Sequence, residues 1–330
     1  MKKYHVYGLG NALVDYEYEV EPEFLTKMSV DKGLMVLVDE SRQQELVDKL
    51  HGIQHKRACG GSAANTCIAM AQLGGKSFYS CKVASDETGQ FYYKDLKANN
   101  VATNLTSETL NEGVTGKCLV FVTPDADRTM NTHLGISQSF GVSEIVESAI
   151  AESEYLYIEG YLVTSPTGKE AAIKAKEIAE KHNVKTAITL SDPGVVEYFK
   201  SGFDEVIGDK VDLIFCNEAE ACRYTNASNI TEAFSALQKK AHQFAITMGS
   251  KGALLWDGTK EVDVIAPKVK AIDTNGAGDL FAGSFLYGIT HGYSFGEAGK
   301  LACAEASELV QSFGARLQAD KVKSVFNETL

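Results

Sequence analysis

The chain has 330 residues, 44% hydrophobic and 23% charged, a composition that is typical of a folded globular protein and excludes a disordered or fibrous chain. Its net charge of −12 disfavours nonspecific binding to nucleic acids or anionic membranes. The scattered cysteines and histidines show no metal-site or disulfide spacing, and we find no membrane-spanning stretch and no secretory signal. We therefore expect a soluble cytoplasmic protein with no nucleic-acid partner and no membrane partner.

The first 110 residues predict alternating strands and helices. A buried strand over 4–10 is followed by short strands and turns over 13–38. A helix over 41–50 comes next, with Ser41 as its N-cap. The remaining predictions for this part are a helix over 62–73, a strand over 77–83 and a helix over 86–99.

Two strands over 115–123 and 128–134, joined by the polar turn Pro124–Asp127, interrupt this alternation. After about residue 140, strands and helices alternate regularly. The strand candidates are 155–158, 186–190, 213–216, 245–247 and 253–256, and the clearest helices are 165–182 and 231–240. This order predicts an α/β fold with a doubly wound, mostly parallel sheet flanked by helices.

The two strand-rich segments, 14–38 and 111–136, lie apart in the sequence but are expected to pair in space as a small β-sheet lid. The large α/β domain then comprises residues 1–13, 39–110 and 137–330. We expect one large domain with a lid, and not two domains in tandem.

The strongest chemical signal is the run Asp273-Thr-Asn-Gly-Ala-Gly-Asp279, which precedes an apolar helical pattern. Small residues at a helix N-terminus leave backbone N–H groups free, and the helix dipole there also stabilises an anion. Asp279, in the first turn, is placed to accept a proton from a hydroxyl that attacks phosphorus. The alternative is a glycine-rich turn in which Asp279 only caps the helix.

Two further signals are weaker. The run Gly60-Gly-Ser-Ala-Ala-Asn65 is a second glycine turn that opens a helix, where a ligand could approach the backbone closely and bond to Asn65. Asn11 and Asp15 follow the first strand, and ligands of open α/β sheets bind beyond the carboxyl ends of strands. The carboxylate of Asp15 can accept hydrogen bonds from two adjacent hydroxyls. The alternatives are a turn chosen for packing and an exposed turn aspartate.

Together these motifs resemble the signatures of the ribokinase-like, or pfkB, family of carbohydrate kinases. Residues 60–75 resemble its first signature and residues 273–285 its second, in the same order and at a fitting spacing. The resemblance implies an α/β domain with a small β lid, and transfer of the γ-phosphate of ATP to a ligand hydroxyl. It also implies Mg²⁺ as a cofactor, and it leaves open a K⁺ ion next to the anion-binding turn.

The resemblance further implies roles for individual residues. Asp279 is the base, beside an anion hole of Gly276, Ala277 and Gly278. The positions that bind the sugar are Asn11, Asp15, Gly60, Gly61 and Asn65. Glu220 holds Mg²⁺ largely through water, and the ATP positions are Asn217, Thr247, Gly249, Gly252 and Asp273. Without the resemblance, Asn217–Glu220 and Thr247–Gly252 would be interpreted as solvated turns.

Arg128 lies in the predicted lid turn. A lid arginine can reach the transferring phosphate when a site closes, so Arg128 is a candidate catalytic residue. The alternative is a surface arginine paired with Asp125 or Asp127.

The acceptor is predicted from finer features. Asn275 in the second signature, together with the runs Arg-Thr-Met-Asn-Thr and Ser-Phe-Gly-Ala-Arg, resembles the adenosine-kinase-like branch of the family. That resemblance implies adenosine with its 5′-hydroxyl near Asp279 and an aromatic side chain of the lid stacked on the base, with candidates Tyr16, Phe24 and Phe121. A kinase of a free sugar or sugar acid, and a nucleoside-binding regulator without catalysis, are the alternatives. The oligomeric state, monomer or homodimer, stays open.

Overall fold

The structure is a computed structural model, and it describes residues 2–33, 35–50, 55–106, 108, 110–124 and 128–330. The strands of the described residues are, in chain order, β1 (Tyr4–Leu9), β2 (Leu13–Glu19), β3 (Met35–Leu37), β4 (His55–Gly60), β5 (Ser77–Ser80), β6 (Ala102–Thr103), β7 (Thr115–Val122), β8 (Arg128–Gly135), β9 (Ser153–Ile158), β10 (Lys185–Thr189), β11 (Val211–Asn217), β12 (Ala241–Thr247), β13 (Ala253–Trp256) and β14 (Glu261–Val264). The helices are α1 (Pro22–Lys27), α2 (Glu40–Lys49), α3 (Ser62–Gln72), α4 (Glu87–Ala98), α5 (Glu147–Ala151), α6 (Pro166–Lys181), α7 (Pro193–Ile207), α8 (Glu218–Thr225), α9 (Ile230–Leu237), α10 (Ala277–Thr290), α11 (Phe295–Leu309) and α12 (Ala319–Thr329). None of these helices combines the length and apolarity needed to cross a membrane.

Nine strands form the larger sheet, in the order β14-β13-β12-β11-β10-β9-β1-β5-β6. Neighbours from β12 to β6 run parallel, whereas β13 and β14 are antiparallel additions at one edge. Alternate residues of a strand face opposite sides, so Leu156 and Ile158 enter one apolar core while Tyr155 and Tyr157 enter the other. Helices cover both faces, which confirms the predicted doubly wound, mostly parallel α/β fold.

The five remaining strands form a smaller sheet in the order β3-β8-β7-β2-β4, as expected for the lid. One of its faces packs against α1 and α2 through Leu25, Leu46 and Phe121. The other face carries Asp15 and Arg128, because the registered pairs Asp15–Cys118 and Val122–Arg128 put both side chains on one side. We call this second face the inner face of the lid.

Several sequence predictions need correction. The sequence predicts that residues 55–60 belong to the large domain, but the structure places them in the smaller sheet as β4. These residues show no strand pattern of their own, and pairing with β2 makes them a strand. The segment after β2 contains the short helix α1 where only strands and turns were expected. α2 is capped by Asp39, which accepts a hydrogen bond from the amide of Arg42 (2.7 Å), and not by Ser41. Of the predicted turn Pro124–Asp127, residues 125–127 lie outside the described residues.

The order of the larger sheet locates a crevice. From β1 the chain fills one side of the sheet with β5 and β6, and later the opposite side with β9 to β12. The carboxyl ends of β1 and β9 therefore lie at a switch point, where open α/β sheets bind their ligands. Asn11 follows the first of these strands and Glu159 the second.

Glu305 is a buried carboxylate in the middle of α11. Its side chain is fully buried, and neither oxygen has a hydrogen-bond partner in the described part of the chain. Burial, reinforced by Glu308, raises the pKa of Glu305 to about 8 from an ordinary value of 4.5. The folded state thus holds this proton more tightly than the unfolded state, so the stability that protonated Glu305 confers is complete below about pH 4.5 and is lost as the pH rises towards 8.

We therefore expect Glu305→Gln, which cannot ionise, to gain stability relative to the parent as the pH rises. The difference in free energy of unfolding should widen between pH 5 and pH 8 by about 2 kcal/mol, the scale of an unsatisfied buried group. Urea titrations at three pH values measure it, and Glu170→Gln, a change in an exposed residue of α6, should show no such widening. Parallel stability curves for Glu305→Gln and the parent would refute the prediction.

Candidate active site

The carboxylate of Asp279 lies where the N-termini of two helices meet. Asp279 is in the first turn of α10, as predicted, and faces the first turn of α3. The Oγ of Ser62 donates to its Oδ1 (2.6 Å), and the Nδ2 of Asn65 donates to its Oδ2 (3.0 Å). Burial raises the pKa of Asp279, and these two hydrogen bonds together with the nearby charge of Arg316 oppose the rise.

The turn before α10 has the geometry of an anion-binding site. Gly276 caps the helix at φ +73°, in the left-handed region, and a Cβ there would lie 2.4 Å from the carbonyl oxygen of Ala315. The amide of Ala277 donates to the carbonyl of Thr274 (3.3 Å). The amides of Gly278 and Asp279 donate to no acceptor among the described residues, so they remain available to an anion.

Asp273 connects this turn to the lid. Its Oδ1 accepts a hydrogen bond from the amide of Asn275 (3.0 Å), and its Oδ2 accepts one from the amide of Gly314 (2.8 Å). The Nη2 of Arg128, at the start of β8, lies 3.0 Å from the same Oδ2 and 3.7 Å from Glu17. Arg128 is therefore an inner-face arginine of the lid next to the anion-binding turn; its alternative partners Asp125 and Asp127 lie outside the described residues.

The other predicted ligand residues meet at the switch point. A Cβ on Gly60 would lie 2.8 Å from Oδ2 of Asp15, so only glycine leaves room for this carboxylate. Gly61 has φ +98°, and its Cβ would lie 2.4 Å from the carbonyl oxygen of Asn11. Burial raises the pKa of Asp15 to about 7, against the opposing charges of Arg316 and Arg128. Asn65 follows one turn into α3.

Three further residues of the site were missed by the sequence analysis: Ser62, which donates to Asp279 as described above, Glu159 and Arg316. Glu159, 1% exposed, accepts hydrogen bonds from the amides of Asn11 (3.1 Å) and Ala63 (2.9 Å), which join β1 to the start of α3. Burial raises the pKa of Glu159 to about 7. Arg316 donates to Asn65 and pairs with Asp95. The only signal for Glu159 was its place directly after the apolar strand 153–158, and the run Ser-Phe-Gly-Ala-Arg contained Arg316 without a role. Ser62 lay unassigned in the first glycine turn.

Two cavities adjoin the anion-binding turn. The larger, about 570 Å³, has apolar walls and is lined by the predicted nucleotide residues Thr247, Gly249 and Gly252. The smaller, about 80 Å³, is lined by Asp279, Asn217 and Glu220. Thr247, Gly278 and Phe281 line both cavities. The arrangement suits a long ligand with an apolar ring at one end and a charged group at Asp279.

Asn217 and Glu220 form a reciprocal cap of α8 and not a solvated turn. The side chain of Asn217 accepts from the amide of Glu220 (2.8 Å), and Glu220 accepts from the amide of Asn217 (2.9 Å). Burial, with Asp192 and Asp279 nearby, raises the pKa of Glu220 to about 7. The two carboxylates that line the smaller cavity, Asp279 and Glu220, fit a divalent cation held through water, since such an ion would offset their mutual repulsion.

Known proteins resemble this chain over most of its length. Residues 28–322 match the pfkB family of carbohydrate kinases. The crystal structure of adenosine kinase from Sinorhizobium meliloti is 33% identical in sequence with a TM-score of 0.89, and that of a probable sugar kinase from Rhizobium etli CFN 42 is 33% identical with a TM-score of 0.90; each comparison covers 99% of both chains. Adenosine kinase 1 from Arabidopsis thaliana is 25% identical over 93% of this chain and 94% of that protein.

Proposed function

Because the chain belongs to the pfkB family of carbohydrate kinases, and so transfers phosphate from ATP to a hydroxyl group of a sugar or nucleoside, we propose that its acceptor is adenosine, phosphorylated at the 5′-hydroxyl to give AMP. The observation that carries the proposal is the 33% identity, over 99% of both chains, to a bacterial adenosine kinase. The geometry of the crevice supports it in three ways.

The first support is the surroundings of Asp279. In the proposed step Asp279 takes the proton of the 5′-hydroxyl while the hydroxyl oxygen bonds to the γ-phosphorus. The bond from that phosphorus to the bridging oxygen breaks, and ADP leaves. The free amides of Gly278 and Asp279 are suited to hold the charge on the transferring group, and Arg128 on the lid can add a positive charge beside them. Gly276 and Ala277 shape this turn.

The second support is a group of polar residues that are suited to bind the hydroxyls of a sugar. The carboxylate of Asp15 lies beside Gly60, and Asn11, Gly61 and Asn65 lie near the same end of the crevice. Asp15 would accept hydrogen bonds from the 2′- and 3′-hydroxyls of the ribose. The larger cavity would hold ATP, with Thr247, Gly249, Gly252 and Asp273 near its phosphates. Asn217 and Glu220 would hold Mg²⁺ through water, and the bound ion neutralises part of the phosphate charge.

The third support is the inner face of the lid. The registered rows of the small sheet place Met35, Leu37, Val120 and Met130 on the same face as Asp15. Met35 and Leu37 are half exposed there, and such side chains suit the flat apolar surface of a nucleobase.

The aromatic candidates for stacking on the base were wrong. Phe24 and Phe121 pack against each other, with ring centroids 5.4 Å apart, in the core on the opposite face of the lid. Tyr16 alternates with Asp15 and faces the same side as Phe121, where its hydroxyl lies 3.2 Å from Oγ1 of Thr88. Because successive residues of a strand point to opposite faces, Tyr16 and Phe121 cannot line the inner face together with Asp15. Phe24, in α1, packs in the core on the opposite face.

We expect adenosine to give the highest kcat/KM in a coupled assay of ADP formation with Mg²⁺, against 2′-deoxyadenosine, inosine, ribose, fructose and 2-keto-3-deoxygluconate. Asp15→Asn should raise the KM for adenosine by about tenfold to a hundredfold, the scale of losing one or two hydrogen bonds to a charged group. In that variant adenosine and 2′-deoxyadenosine should differ less than in the parent. Asp48→Asn, the same change on the exposed surface of α2, is the matched control.

The outcomes separate the alternatives. A higher kcat/KM for a free sugar or sugar acid would refute adenosine and assign the chain to the sugar kinases of the family, which the 33% identity to a probable sugar kinase also favours. Nucleoside binding without any turnover of ATP would refute catalysis and support a binding regulator.

A further inference from the structure

Arg316, which follows α11, connects helices α4 and α3 next to Asp279, the proposed catalytic base. Its Nη1 donates to Oδ2 of Asp95 on α4 (2.6 Å). Its Nε donates to Oδ1 of Asn65 on α3 (2.7 Å), and the Nδ2 of Asn65 donates to Oδ2 of Asp279 (3.0 Å). Asp95, Arg316, Asn65 and Asp279 thus form one continuous chain of hydrogen bonds, which we call the Asp95–Asp279 chain.

The direction of this chain follows from the chemistry of its members. A guanidinium has only donors, so Arg316 can bond to Asn65 only through the amide oxygen. The amide nitrogen of Asn65 must then face Asp279, whose ionised carboxylate has only acceptors. If the amide were turned around, two donors would face each other at Arg316 and two acceptors at Asp279.

The rigidity of the chain follows from packing. Asn65 is 6% exposed, and the pair of Arg316 with Asp95 is also largely enclosed, with side chains 18% and 26% exposed. The neighbouring Ala315 packs against Gly276, so the segment that carries Arg316 also supports the anion-binding turn. A charge-assisted pair in such surroundings holds its geometry better than one on the surface.

We propose that Arg316 is a positioning residue that acts through Asn65: it orients the Asn65 amide and thereby holds the Asp279 carboxylate in the position from which it takes the proton. This inference rests on the proposed role of Asp279 as base, and it concerns a residue to which that proposal gave no part.

Apart from its hydrogen bonds, Arg316 affects the pKa of Asp279 through its positive charge. The titratable or charged groups coupled to Asp279 are Arg316, Glu159, Glu220, Tyr157 and Tyr161, and Arg316 is the cation among them. Its charge lowers the pKa of Asp279. Without that charge, Asp279 would become ionised only at a higher pH.

Two variants separate these effects. Arg316→Lys retains a charge but lacks the planar fork that reaches both Asp95 and Asn65, whereas Arg316→Met lacks both. We expect either variant to lower kcat by about tenfold to a hundredfold with the KM for ATP little changed. The acidic limb of the pH profile of kcat/KM should move to higher pH in Arg316→Met and stay near the parent position in Arg316→Lys. Arg223→Met, which removes an exposed arginine of α8, is the control.

A second measurement needs no turnover. In protein labelled with ¹⁵N-asparagine, the side-chain amide signal of Asn65, assigned with Asn65→Ala, should shift with pH as Asp279 titrates, and Arg316→Met should abolish that dependence. If the Arg316 variants do not fold, Asp95→Asn is the substitute, because it weakens the same chain at the end away from Asp279. This variant should also lower kcat.

Parental kcat in folded Arg316→Met, or an unchanged titration of the Asn65 signal in that variant, would overturn the proposal. Absence of ATP turnover by the parent with every acceptor would instead refute the proposed function, and the Asn65 signal would still decide whether Arg316 orients the amide.

Discussion

Asp279→Asn is expected to lower kcat by about 10³-fold with the best acceptor, while the KM for ATP stays within about twofold. The amide is nearly isosteric with the carboxylate and still fits between Ser62 and Asn65. It cannot accept the proton of the attacking hydroxyl, however, so the barrier to the chemical step rises and the binding of nucleotide does not change. Single-turnover and steady-state assays of ADP formation measure the two parameters.

The matched control is Asp320→Asn, which removes a carboxylate from the first turn of another helix, α12, on the protein surface. It should leave kcat at the parental value. If Asp279→Asn kept more than about a tenth of the parental kcat, general-base catalysis by Asp279 would be excluded, because a lost base costs at least about a hundredfold.

Gly276→Ala is expected to lower kcat by about a hundredfold or more, the effect of losing one well-placed donor of an anion hole. Its Cβ would lie 2.4 Å from the carbonyl oxygen and 2.7 Å from the Cα of Ala315. Both are backbone atoms that cannot rotate away, so the turn itself must move. The amides of Gly278 and Asp279 would move with it and lose their alignment on the transferring phosphate.

The left-handed φ of Gly276 adds a cost that has nothing to do with catalysis, about 1–2 kcal/mol for any residue with a Cβ. Gly292→Ala isolates that cost, because Gly292, just after the same helix, has φ +85° and no atom within 4 Å of its Cβ position. This control should lose stability in thermal melts and retain the parental kcat. Parental kcat in Gly276→Ala would show that the anion-binding turn does not take part in the reaction.

The local features of the site could be predicted from the sequence. Gly276 and Gly61 occupy left-handed or crowded backbone positions at the starts of α10 and α3, and such positions are encoded by the residues of the turn itself. The position of Asp279 in the first turn followed from the same pattern. The alternation of strands and helices likewise reflects periods of two and 3.6 residues that any segment carries by itself.

Pairing between distant segments could not be predicted in this way. β4 is a strand because β2 lies beside it, and its own residues show no such preference. Which face of β2 is left uncovered depends on where α1 and α2 pack, and the aromatic residues chosen from the sequence lie on the covered face.

The sequence alone thus revealed the fold class, the two glycine turns and the candidate base, because each depends on residues within a few positions of one another. The environment of that base depends on contacts across the chain: Asn65 meets Asp279 over 214 residues and Arg316 over 251. Such contacts follow from how the sheet order and helix packing bring remote segments together, and no local pattern encodes them. For this reason Arg316 and Glu159 could be assigned to the site only from the folded chain.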